Sequence, residues 1–544
     1  MDRTIDFTNC QEKAILSIDN FLRNDNENIF LLSGAAGTGK TTVVTQYERK
    51  RKDYKIIYLA PTHKAKNVLK EMGKKLKLPN SYGKYSTIHS FFCISISYDK
   101  KGKARFETNA ESFARKYQDK FFNTNLLIVI DEISMIGNDL YEIIIEYSKH
   151  YPQIKIILLG DICQLPPICK IKTQEDEEKE ETEEYGEESV EEISKFFKNP
   201  PKHSACLFEV KRTADKDIVE LNKICRQYTL DENTENFKSR INTFRKTSIN
   251  PRIKIVTSKN HFTRLINENI EKKSSYVIAS RNSTVTDYIK NIRERIYPDC
   301  NFPYGVGEKI YFTSYFSFDN NDQCNCIWEN RKSMFCNRSN FYTSTEQKII
   351  SCREGIETSE YFNVSYKFFE FEIDYKLHTE EFLKVRKIHP DSLKIFNKAV
   401  FKKKNEIKNS EKNNTLYWKE FHKNKKLLHS PFTSSIAITA YKAQGSSYQN
   451  VFVDADDIEN CRRTTFLKSK EIYTAVTRAK NFIYIFIDLE KKLRERPRGI
   501  TKCCRCRCWR KYSEFKINKK GILIKTCNYC CEKAKIKRDA SKSI

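Results

Sequence analysis

A glycine-rich loop directly after a short apolar run constrains the fold of this chain more than any other feature. The apolar residues 29–32 precede Gly34-Ala-Ala-Gly-Thr-Gly-Lys-Thr-Thr42, which matches the complete eight-position phosphate-loop pattern. Its glycines let backbone N–H groups converge on a phosphate, and Lys40 and Thr41 suit the terminal phosphates and Mg²⁺. The loop therefore predicts a domain that binds a nucleoside triphosphate.

The length and composition set outer limits on the architecture. A chain of 544 residues is long enough for about three to five compact units. No apolar run approaches the roughly 18 residues of a membrane span, and the first residues lack the order of a signal peptide. We expect an intracellular protein of the nucleus or cytoplasm that is neither secreted nor membrane-spanning. In that reducing compartment its 19 cysteines would be metal ligands or buried thiols, not disulfides.

The charge is strongly positive and unevenly distributed. The formal net charge is +27, and residues 175–192 hold twelve acidic residues against one lysine, so the remainder carries about +38. Such an excess favours a polyanionic partner, most simply nucleic acid. On charge alone, a merely lysine-rich soluble protein is the alternative. We interpret the acidic loop, residues 172–193, as a solvated segment, with masking of a basic groove as the other hypothesis.

Apolar runs that predict buried strands alternate with helical patterns, as in a doubly wound parallel sheet. Four of these runs are directly followed by segments with polar residues that could bind a ligand or take part in catalysis. They are 29–32 before the phosphate loop, 56–59 before Ala60-Pro-Thr-His63, 126–130 before Asp131-Glu132, and 156–159 before Gly160-Asp161. Ligands of open α/β sheets gather at the carboxyl ends of strands, so we expect these segments to share one site.

Three side chains at these strand ends suit phosphoryl transfer. One carboxylate of Asp131-Glu132 would hold Mg²⁺ while the other orients or deprotonates the attacking water. Gln164 is a candidate sensor of the γ-phosphate or of that water, with a turn-building role before two prolines as the alternative. Behind a complete phosphate loop, catalysis is favoured over capping for the acidic pair.

Ten segments, in order along the chain, carry a resemblance to a known family. They are Phe7-Thr-Asn-Cys-Gln11, the phosphate loop, Ala60-Pro-Thr-His-Lys64, Ser86-Thr-Ile-His-Ser90, Asp131-Glu-Ile-Ser134, Gly160-Asp-Ile-Cys-Gln-Leu-Pro-Pro167, Leu207-Phe-Glu-Val-Lys-Arg212, Ile278-Ala-Ser-Arg-Asn282, Ile438-Thr-Ala-Tyr-Lys-Ala-Gln-Gly-Ser-Ser447 and Glu471-Ile-Tyr-Thr-Ala-Val-Thr-Arg-Ala-Lys480. The series resembles the superfamily one DNA helicases of the RecD-like and Dda-like branch, whose members typically move 5′ to 3′. The resemblance spans about residues 5 to 490. It implies an α/β fold with two RecA-like domains and an ATP site between them.

The resemblance also implies roles for single residues. Arg212 and Arg478 would be directed at the γ-phosphate, Arg478 as an arginine finger. The implied contacts to ATP and Mg²⁺ are Gln11, Gly34, Ala35, Ala36, Gly37, Thr38, Gly39, Lys40, Thr41, Thr42 and Asp131. The implied nucleic-acid contacts, mainly to phosphates, are Pro61, Thr62, His63, Thr87, His89, Thr439 and Lys442. Many relatives have His where this chain has Tyr441, so a His-dependent link between nucleotide and nucleic acid is not assumed.

The segments divide the chain into expected domains. RecA-like domain 1 spans 1–225, with a β-hairpin insertion at about 91–122, and RecA-like domain 2 spans 226–299 and 431–492. An SH3-like or 2B-type barrel would fill 300–430, where short strand patterns alternate with polar turns. The hairpin is interpreted as a strand-separating pin rather than padding, with Phe92 or Phe106 as a hypothetical base-stacking wedge.

The C-terminus has cysteine spacing typical of a zinc ribbon. Two C-x-x-C pairs, Cys503 with Cys506 and Cys527 with Cys530, predict a structural Zn²⁺ site within residues 499–536. Neighbouring cysteines offer alternative ligands; they are Cys504, Cys508 and Cys531. Surrounding lysines and arginines suit nucleic acid, with protein docking or a redox role as alternatives. Four cysteines in the barrel could bind a metal, but their irregular spacing favours free thiols; they are Cys324, Cys326, Cys336 and Cys352.

The sequence thus predicts an enzyme, an ATP-dependent DNA helicase that moves 5′ to 3′ on single-stranded DNA. Its cofactors would be ATP, Mg²⁺ and structural Zn²⁺. It would act at single-strand to double-strand junctions in replication, repair or recombination, with replication or transcription proteins as candidate partners. An RNA helicase or RNA–protein remodeller is one alternative. A non-catalytic nucleic-acid-binding subunit is disfavoured because Lys40, Glu132, Gln164 and Arg478 are present. The composition and the ribbon resemble those of proteins from large DNA viruses.

Overall fold

A computed structural model describes most of the chain as one large unit, Met1–Ile487, and a second unit, Asp488–Ile544. The described residues are 7–23, 27–50, 54–78, 84–99, 102, 104–108, 111, 113, 125–151, 153–167, 193–211, 215–230, 237–271, 274–314, 316–318, 339–341, 346–376, 382–410, 415–461, 463–489, 500–502, 509–511, 515–517 and 523–527. The acidic loop, except Ile193, lies outside them.

The first RecA-like domain is built on a six-stranded parallel sheet in the order β3-β2-β6-β7-β1-β8. Its strands, with those of the hairpin, are β1 (Ile29–Gly34), β2 (Lys55–Ala60), β3 (Tyr85–Thr87), β4 (Ile94–Tyr98), β5 (Ala104–Thr108), β6 (Leu126–Ile130), β7 (Ile154–Gly160) and β8 (His203–Leu207). Its helices are α1 (Asn9–Leu22), α2 (Lys40–Lys50), α3 (His63–Lys75), α4 (Ile88–Phe91), α5 (Asn138–His150) and α6 (Lys195–Lys198), with a 3-10 turn at Ile133–Met135. Two further helices follow β8: α7 (Lys216–Leu230), which crosses the predicted domain boundary at residues 225/226, and α8 (Phe237–Thr247).

The sheet of this domain is covered on both faces, which explains its continuous apolar strands. Along β6 every residue is buried. Leu127 and Val129 pack in a core with α1, α2 and α3, whereas Leu126, Ile128 and Ile130 pack in a second core with α4 and α5. The polar residues that follow each strand therefore collect at one edge of the sheet.

The second RecA-like domain has a five-stranded parallel sheet in the order β18-β10-β19-β20-β9. Its strands are β9 (Ile253–Val256), β10 (Ser275–Ala279), β18 (Ala437–Thr439), β19 (Tyr448–Asp454) and β20 (Ala479–Phe486). Its helices are α9 (Lys259–Asn269), α10 (Asn282–Ile296), α13 (Ala440–Ala443), α14 (Ala455–Glu459) and α15 (Thr465–Val476). Two parallel sheets with flanking helices confirm the predicted α/β class with two RecA-like domains.

A segment inserted between β10 and β18 forms an antiparallel sheet in the order β16-β15-β14-β11-β17. Its elements are β11 (Lys309–Phe312), the pair β12 (Phe316–Phe318) and β13 (Ser339–Phe341), β14 (Glu346–Ser359), β15 (Val364–Lys376), β16 (Phe382–Ile388), α11 (Pro390–Asn409), α12 (Thr415–Leu428) and β17 (Phe432–Ser434). The two helices were not predicted, because their lysine-rich sequence hides a narrow apolar stripe. That stripe packs with β15; its members include Phe396, Val400, Ile407, Trp418 and Phe421. The SH3-like topology stays a prediction.

The predicted hairpin is present as the antiparallel pair β4 and β5. Its turn packs on α12 of the inserted segment. A Cβ on Gly102 would lie 2.6 Å from the Trp418 ring, and the Tyr98 ring stacks on His422 with centroids 4.9 Å apart. The hypothesis that Phe92 is a wedge is wrong, because its side chain is 1% exposed and packs inside the first domain. The Phe106 side chain lies outside the described part of the chain.

The C-terminal unit contains two short antiparallel pairs. They are β21 (Ile500–Lys502) with β22 (Trp509–Lys511), and β23 (Phe515–Ile517) with β24 (Leu523–Cys527). Cys503, Cys506, Cys530 and the Cys527 side chain lie outside what the structure describes, so the zinc ribbon stays a prediction. Within the described ranges, no group of three or more metal-ligating side chains is placed to hold a metal. No described helix combines the length and apolarity needed to cross a bilayer.

Candidate functional site

The predicted phosphate loop connects β1 to the N-terminus of α2. Gly37 and Gly39 have φ of 83° and 84°, in the left-handed region that favours glycine. The Lys40 ammonium donates to the carbonyl oxygens of Gly34 at 2.9 Å and Ala35 at 3.1 Å. The lysine is thus held over the loop that the sequence predicts to bind phosphates, and the converging amides and the ammonium fit a triphosphate.

Gln11 binds the same loop from α1. Its side-chain NH₂ donates to the Thr38 carbonyl oxygen at 2.9 Å, and its Oε1 accepts the Thr8 N–H at 3.0 Å. A Cβ on Gly39 would lie 2.8 Å from Nε2 of Gln11, so glycine is needed for this approach. The structure therefore brings Gln11 to the nucleotide site; its predicted contact with the adenine stays a prediction.

Two predicted magnesium-site residues meet where α2 begins and β6 ends. The Thr41 hydroxyl donates to Oδ2 of Asp131 at 2.9 Å, and Oδ1 accepts the Glu132 N–H at 2.8 Å. Hydroxyl and carboxylate oxygens are ligands that Mg²⁺ prefers, so this pair fits a nucleotide-bound Mg²⁺. Burial raises the pKa of Asp131, while the nearby Lys40 charge opposes that rise.

Glu132 has an unusual backbone and an unusual electrostatic environment. Its φ of 56° and ψ of 44° are left-handed, which is uncommon for a non-glycine residue and marks a strained position. Burial and the adjacent Asp131 raise the pKa of Glu132, while the charges of Arg478 and Lys40 lower it. A carboxylate with a raised pKa beside a phosphate loop suits a general base.

Gln164 lies at the contact between the two RecA-like domains. It is 5% exposed, and its Oε1 accepts the side-chain NH₂ of Gln444 at 3.3 Å. The same NH₂ group lies 3.1 Å from the Ser134 hydroxyl and 3.4 Å from the Leu165 carbonyl oxygen. Gln444 lies in the segment 438–447 that carries the family resemblance, but the sequence pattern does not single it out as a site residue. Its position shows that it connects the second domain to residues after β6 and β7.

Arg478 lies on the second-domain side of the cleft between the two RecA-like domains, and its side chain is 2% exposed. Its guanidinium donates to the carbonyl oxygens of Thr474 at 2.9 Å and Ser446 at 3.1 Å. Its charge acts on Glu132 across the cleft. The other predicted arginine, Arg212, lies outside the described residues. The N–H of the preceding Lys211 donates to the Gly37 carbonyl oxygen at 2.8 Å, which brings that backbone to the phosphate loop.

Three predicted nucleic-acid contacts cap helices that follow parallel strands. The hydroxyl of Thr62 accepts the Ala65 N–H, that of Thr87 accepts the Ser90 N–H, and that of Thr439 accepts the Lys442 N–H. Each of these hydroxyls can still donate its own hydrogen in a further hydrogen bond. Thr87 is 3% exposed and Thr439 is 8% exposed. Pro61 lies beside Thr62 at the end of β2.

The remaining predicted contacts are His63, His89 and Lys442. His63 lies near His89, and burial, Lys66 and His89 lower the pKa of His63 to about 3. Burial also lowers the pKa of His89, so both rings are neutral near pH 7. Lys442 donates to the Tyr311 hydroxyl of the insertion at 3.2 Å. Lys64 donates to the Tyr448 hydroxyl at 2.9 Å, a contact between the domains that was not predicted.

Sequence reasoning also missed Asp161, Arg226 and Tyr473. Their side chains form a hydrogen-bonded group next to the phosphate loop, in which Asp161 and Tyr473 are buried and Arg226 is partly exposed. Tyr473 precedes Arg478 in the segment 471–480, and Asp161 precedes Gln164 in the segment 160–167. No motif marks Arg226, which reaches Asp161 and Tyr473 only because α7 packs on α15 in the folded chain.

Comparisons with known proteins agree with this geometry. Residues 21–170 match an AAA domain family, and residues 434–485 match the UvrD-like helicase C-terminal domain. An uncharacterized protein of Acanthamoeba polyphaga mimivirus is 24% identical in an alignment of 523 residues that covers 89% of this chain and all of that protein. ATP-dependent DNA helicase Pif1 of Campylobacter jejuni is 28% identical over 214 residues, or 39% of this chain and 43% of that protein.

Solved structures of helicases are also similar to this chain. Pif1 from Bacteroides in complex with ADP-AlF3 and ssDNA is 16% identical, with a TM-score of 0.45 and coverage of 89% of this chain and 92% of that chain. Pif1 from Candida albicans is 14% identical, with a TM-score of 0.39 and coverage of 89% and 95%.

The fold and the phosphate loop define a P-loop nucleoside triphosphatase with two RecA-like domains and a candidate nucleotide site between them. The two family matches give the narrower class. Together with the fold, they identify the chain as an ATP-dependent helicase that is similar to the superfamily one helicases of the Pif1-like and Dda-like kind. This confirms the predicted resemblance, and the mimivirus relative agrees with the expected similarity to viral proteins.

Proposed function

We propose that the protein uses ATP hydrolysis to move along single-stranded DNA and to separate duplex DNA ahead of it. The observation that carries this proposal is the cleft between the RecA-like domains. Lys40, Asp131 and Glu132 line one side, and Arg478 of the other side acts on Glu132. Because hydrolysis needs groups from both domains, nucleotide binding and release would close and open the cleft.

The strand would lie across both domains at the carboxyl ends of their sheets. Thr62, His63 and Thr87 of the first domain and Thr439 and Lys442 of the second would contact it. Neutral imidazoles and hydroxyls donate hydrogen bonds to phosphate oxygens without reading base sequence, so little sequence preference is expected. The excess of basic residues supports binding of a polyanion.

Several finer features of the function are also part of the proposal. Movement would be 5′ to 3′, as the resemblance implies, and the work would be done in replication, repair or recombination. The hairpin that packs on α12 would part the strands. The C-terminal unit would bind Zn²⁺ through Cys503, Cys506, Cys527 and Cys530, and metal analysis of the purified chain would test this.

The first experiment measures ATP hydrolysis with and without poly-deoxythymidine or poly-uridine. We expect the deoxynucleotide polymer to stimulate hydrolysis more strongly, and Lys40→Ala to abolish the activity while DNA binding remains. Lys246→Ala, at an exposed position on α8, is the matched control. Stronger stimulation by poly-uridine would favour the RNA helicase instead, and stimulation by neither polymer would disprove translocation on nucleic acid.

The second experiment tests direction with duplexes that carry a single 5′ or 3′ tail. We expect faster opening of the 5′-tailed duplex. Faster opening of the 3′-tailed duplex would reverse the proposed direction.

A further inference from the structure

A tyrosine of the second RecA-like domain contacts two parts of the first domain through one hydroxyl. The Tyr473 oxygen, on α15, accepts the Ala36 N–H of the phosphate loop at 2.9 Å. The same hydroxyl donates to Oδ2 of Asp161, directly after β7, at 2.7 Å. Tyr473 is 1% exposed, so solvent does not weaken these hydrogen bonds.

The carboxylate that accepts the Tyr473 hydroxyl is itself held in one orientation. Oδ1 of Asp161 accepts from Nη1 of Arg226 at 2.5 Å and from the Cys163 N–H at 3.1 Å. Asp161 is 1% exposed. Oδ1 therefore has two donors and Oδ2 has the Tyr473 hydroxyl, so that hydroxyl donates to a carboxylate of fixed orientation.

A second contact fixes α15 against the segment after β7 that contains Asp161. The Lys470 ammonium donates to the Ile162 carbonyl oxygen. Lys470 and Tyr473 are three residues apart on the helix, so both lie on the face that meets the first domain. Every residue of 469–476 is buried, which leaves the helix little freedom to rotate.

The arginine finger follows this face directly. Arg478 comes five residues after Tyr473, just past the end of α15, and its Nε donates to the Thr474 carbonyl oxygen. Any displacement of Tyr473 from the phosphate loop would therefore move Arg478 relative to Glu132.

We propose that Tyr473 is a positioning residue for ATP hydrolysis. Its hydroxyl, oriented by Asp161 and Arg226, holds α15 on the phosphate loop so that Arg478 reaches the transferred phosphate beside Glu132. The group acts on the hydrolysis step more than on nucleotide binding, because Lys40, Thr41 and the other loop amides bind ATP independently of it. This inference rests on the DNA-stimulated ATP hydrolysis proposed above.

The test compares Tyr473→Phe with Tyr288→Phe. Tyr288 is a matched control, because its buried hydroxyl also donates to an aspartate, Asp454, at 2.7 Å, within the second domain. For Tyr473→Phe we expect kcat at saturating single-stranded DNA to fall about tenfold, the effect of one hydrogen bond to a charged group. The KM for ATP should stay within about twofold of the parent, and Tyr288→Phe should leave both constants unchanged.

A double-mutant cycle with Arg226→Gln tests whether the residues act through Asp161. We expect both single variants to lower kcat and the double variant to lose less than the product of the two effects. If the two losses of kcat simply multiply in the double variant, Tyr473 and Arg226 do not act through their common contact with Asp161.

Other outcomes separate this inference from neighbouring explanations. A lower KM for ATP with unchanged kcat in Tyr473→Phe would mean that the hydroxyl competes with phosphate at the Ala36 amide. That result would overturn the positioning role of Tyr473. Equal losses in Tyr473→Phe and Tyr288→Phe would indicate a merely structural role. A parent protein without DNA-stimulated hydrolysis would disprove the proposed function, whereas an active parent with an unaffected Tyr473→Phe variant would disprove only the positioning role.

Discussion

The Thr41 hydroxyl donates to Oδ2 of Asp131 at 2.9 Å, which joins the phosphate loop to the end of β6. This hydrogen bond aligns two oxygen atoms that would share a nucleotide-bound Mg²⁺. The two residues lie 90 positions apart in the sequence. They come together because the strands that precede them belong to one parallel sheet.

Replacement of Thr41 by valine should weaken Mg²⁺ use. The shape is kept but the hydroxyl is lost, so the Mg²⁺ concentration for half-maximal ATP hydrolysis should rise about tenfold or more. A magnesium titration of the ATPase rate measures this. Thr45→Val is the matched control, because the Thr45 hydroxyl donates to the Thr41 carbonyl oxygen within α2 and does not contact Asp131. Equal responses of the two variants would contradict a magnesium role for Thr41.

The pH dependence of hydrolysis should report the pKa of Glu132. Burial and Asp131 raise that pKa above the ordinary value of 4.5. A general base must be deprotonated, so kcat should fall as the pH drops, beginning at a higher pH than an ordinary glutamate would cause. Rates measured from about pH 8 to pH 5 test this. Glu132→Gln should lower kcat by about 100-fold or more and remove this acid limb; a limb that persists in the variant must come from another group.

Gln444 should transmit nucleic-acid binding to the nucleotide site. Gln444→Ala removes the NH₂ group that lies within 3.4 Å of Ser134, Gln164 and Leu165 acceptor atoms. We expect stimulation of hydrolysis by single-stranded DNA to fall about tenfold, with the unstimulated rate less affected. Gln449→Ala, at an exposed position in β19, is the control and should match the parent. Normal stimulation in Gln444→Ala would show that the contact between domains is dispensable.

The hairpin turn should matter for strand separation but not for ATP hydrolysis. Gly102 has φ of 77°, and a Cβ there would lie 2.6 Å from the Trp418 ring, so Gly102→Val should displace the hairpin from α12. We expect duplex unwinding to slow about tenfold while ATP hydrolysis on single-stranded DNA is unchanged. Gly307→Val adds the same backbone strain, at φ of 85°, but its Cβ would meet only Lys348 at 3.8 Å. If both variants unwind duplexes equally well, docking on Trp418 has no role in unwinding.

The parts of the site predicted from the sequence depend on local patterns. The loop before Lys40 and the carboxylates after β6 each follow a buried apolar strand, and parallel strands deliver such residues to one edge of a sheet. The wedge hypothesis for Phe92 failed for a related reason. An aromatic residue next to a hairpin has the same local pattern whether its ring faces solvent or the core.

The sequence by itself determined the α/β class, the two RecA-like domains and the phosphate loop, because these depend on short-range spacing and on alternation of strand and helix. Only the tertiary structure decided how the domains meet. Arg226 and Tyr473 contact each other across 247 positions, and helices α11 and α12 pack through a few apolar residues among many lysines. Such contacts depend on the packing of distant surfaces, which no local pattern encodes. The phosphate loop can therefore be predicted from the sequence, whereas the contacts that hold α15 and Arg478 against it cannot.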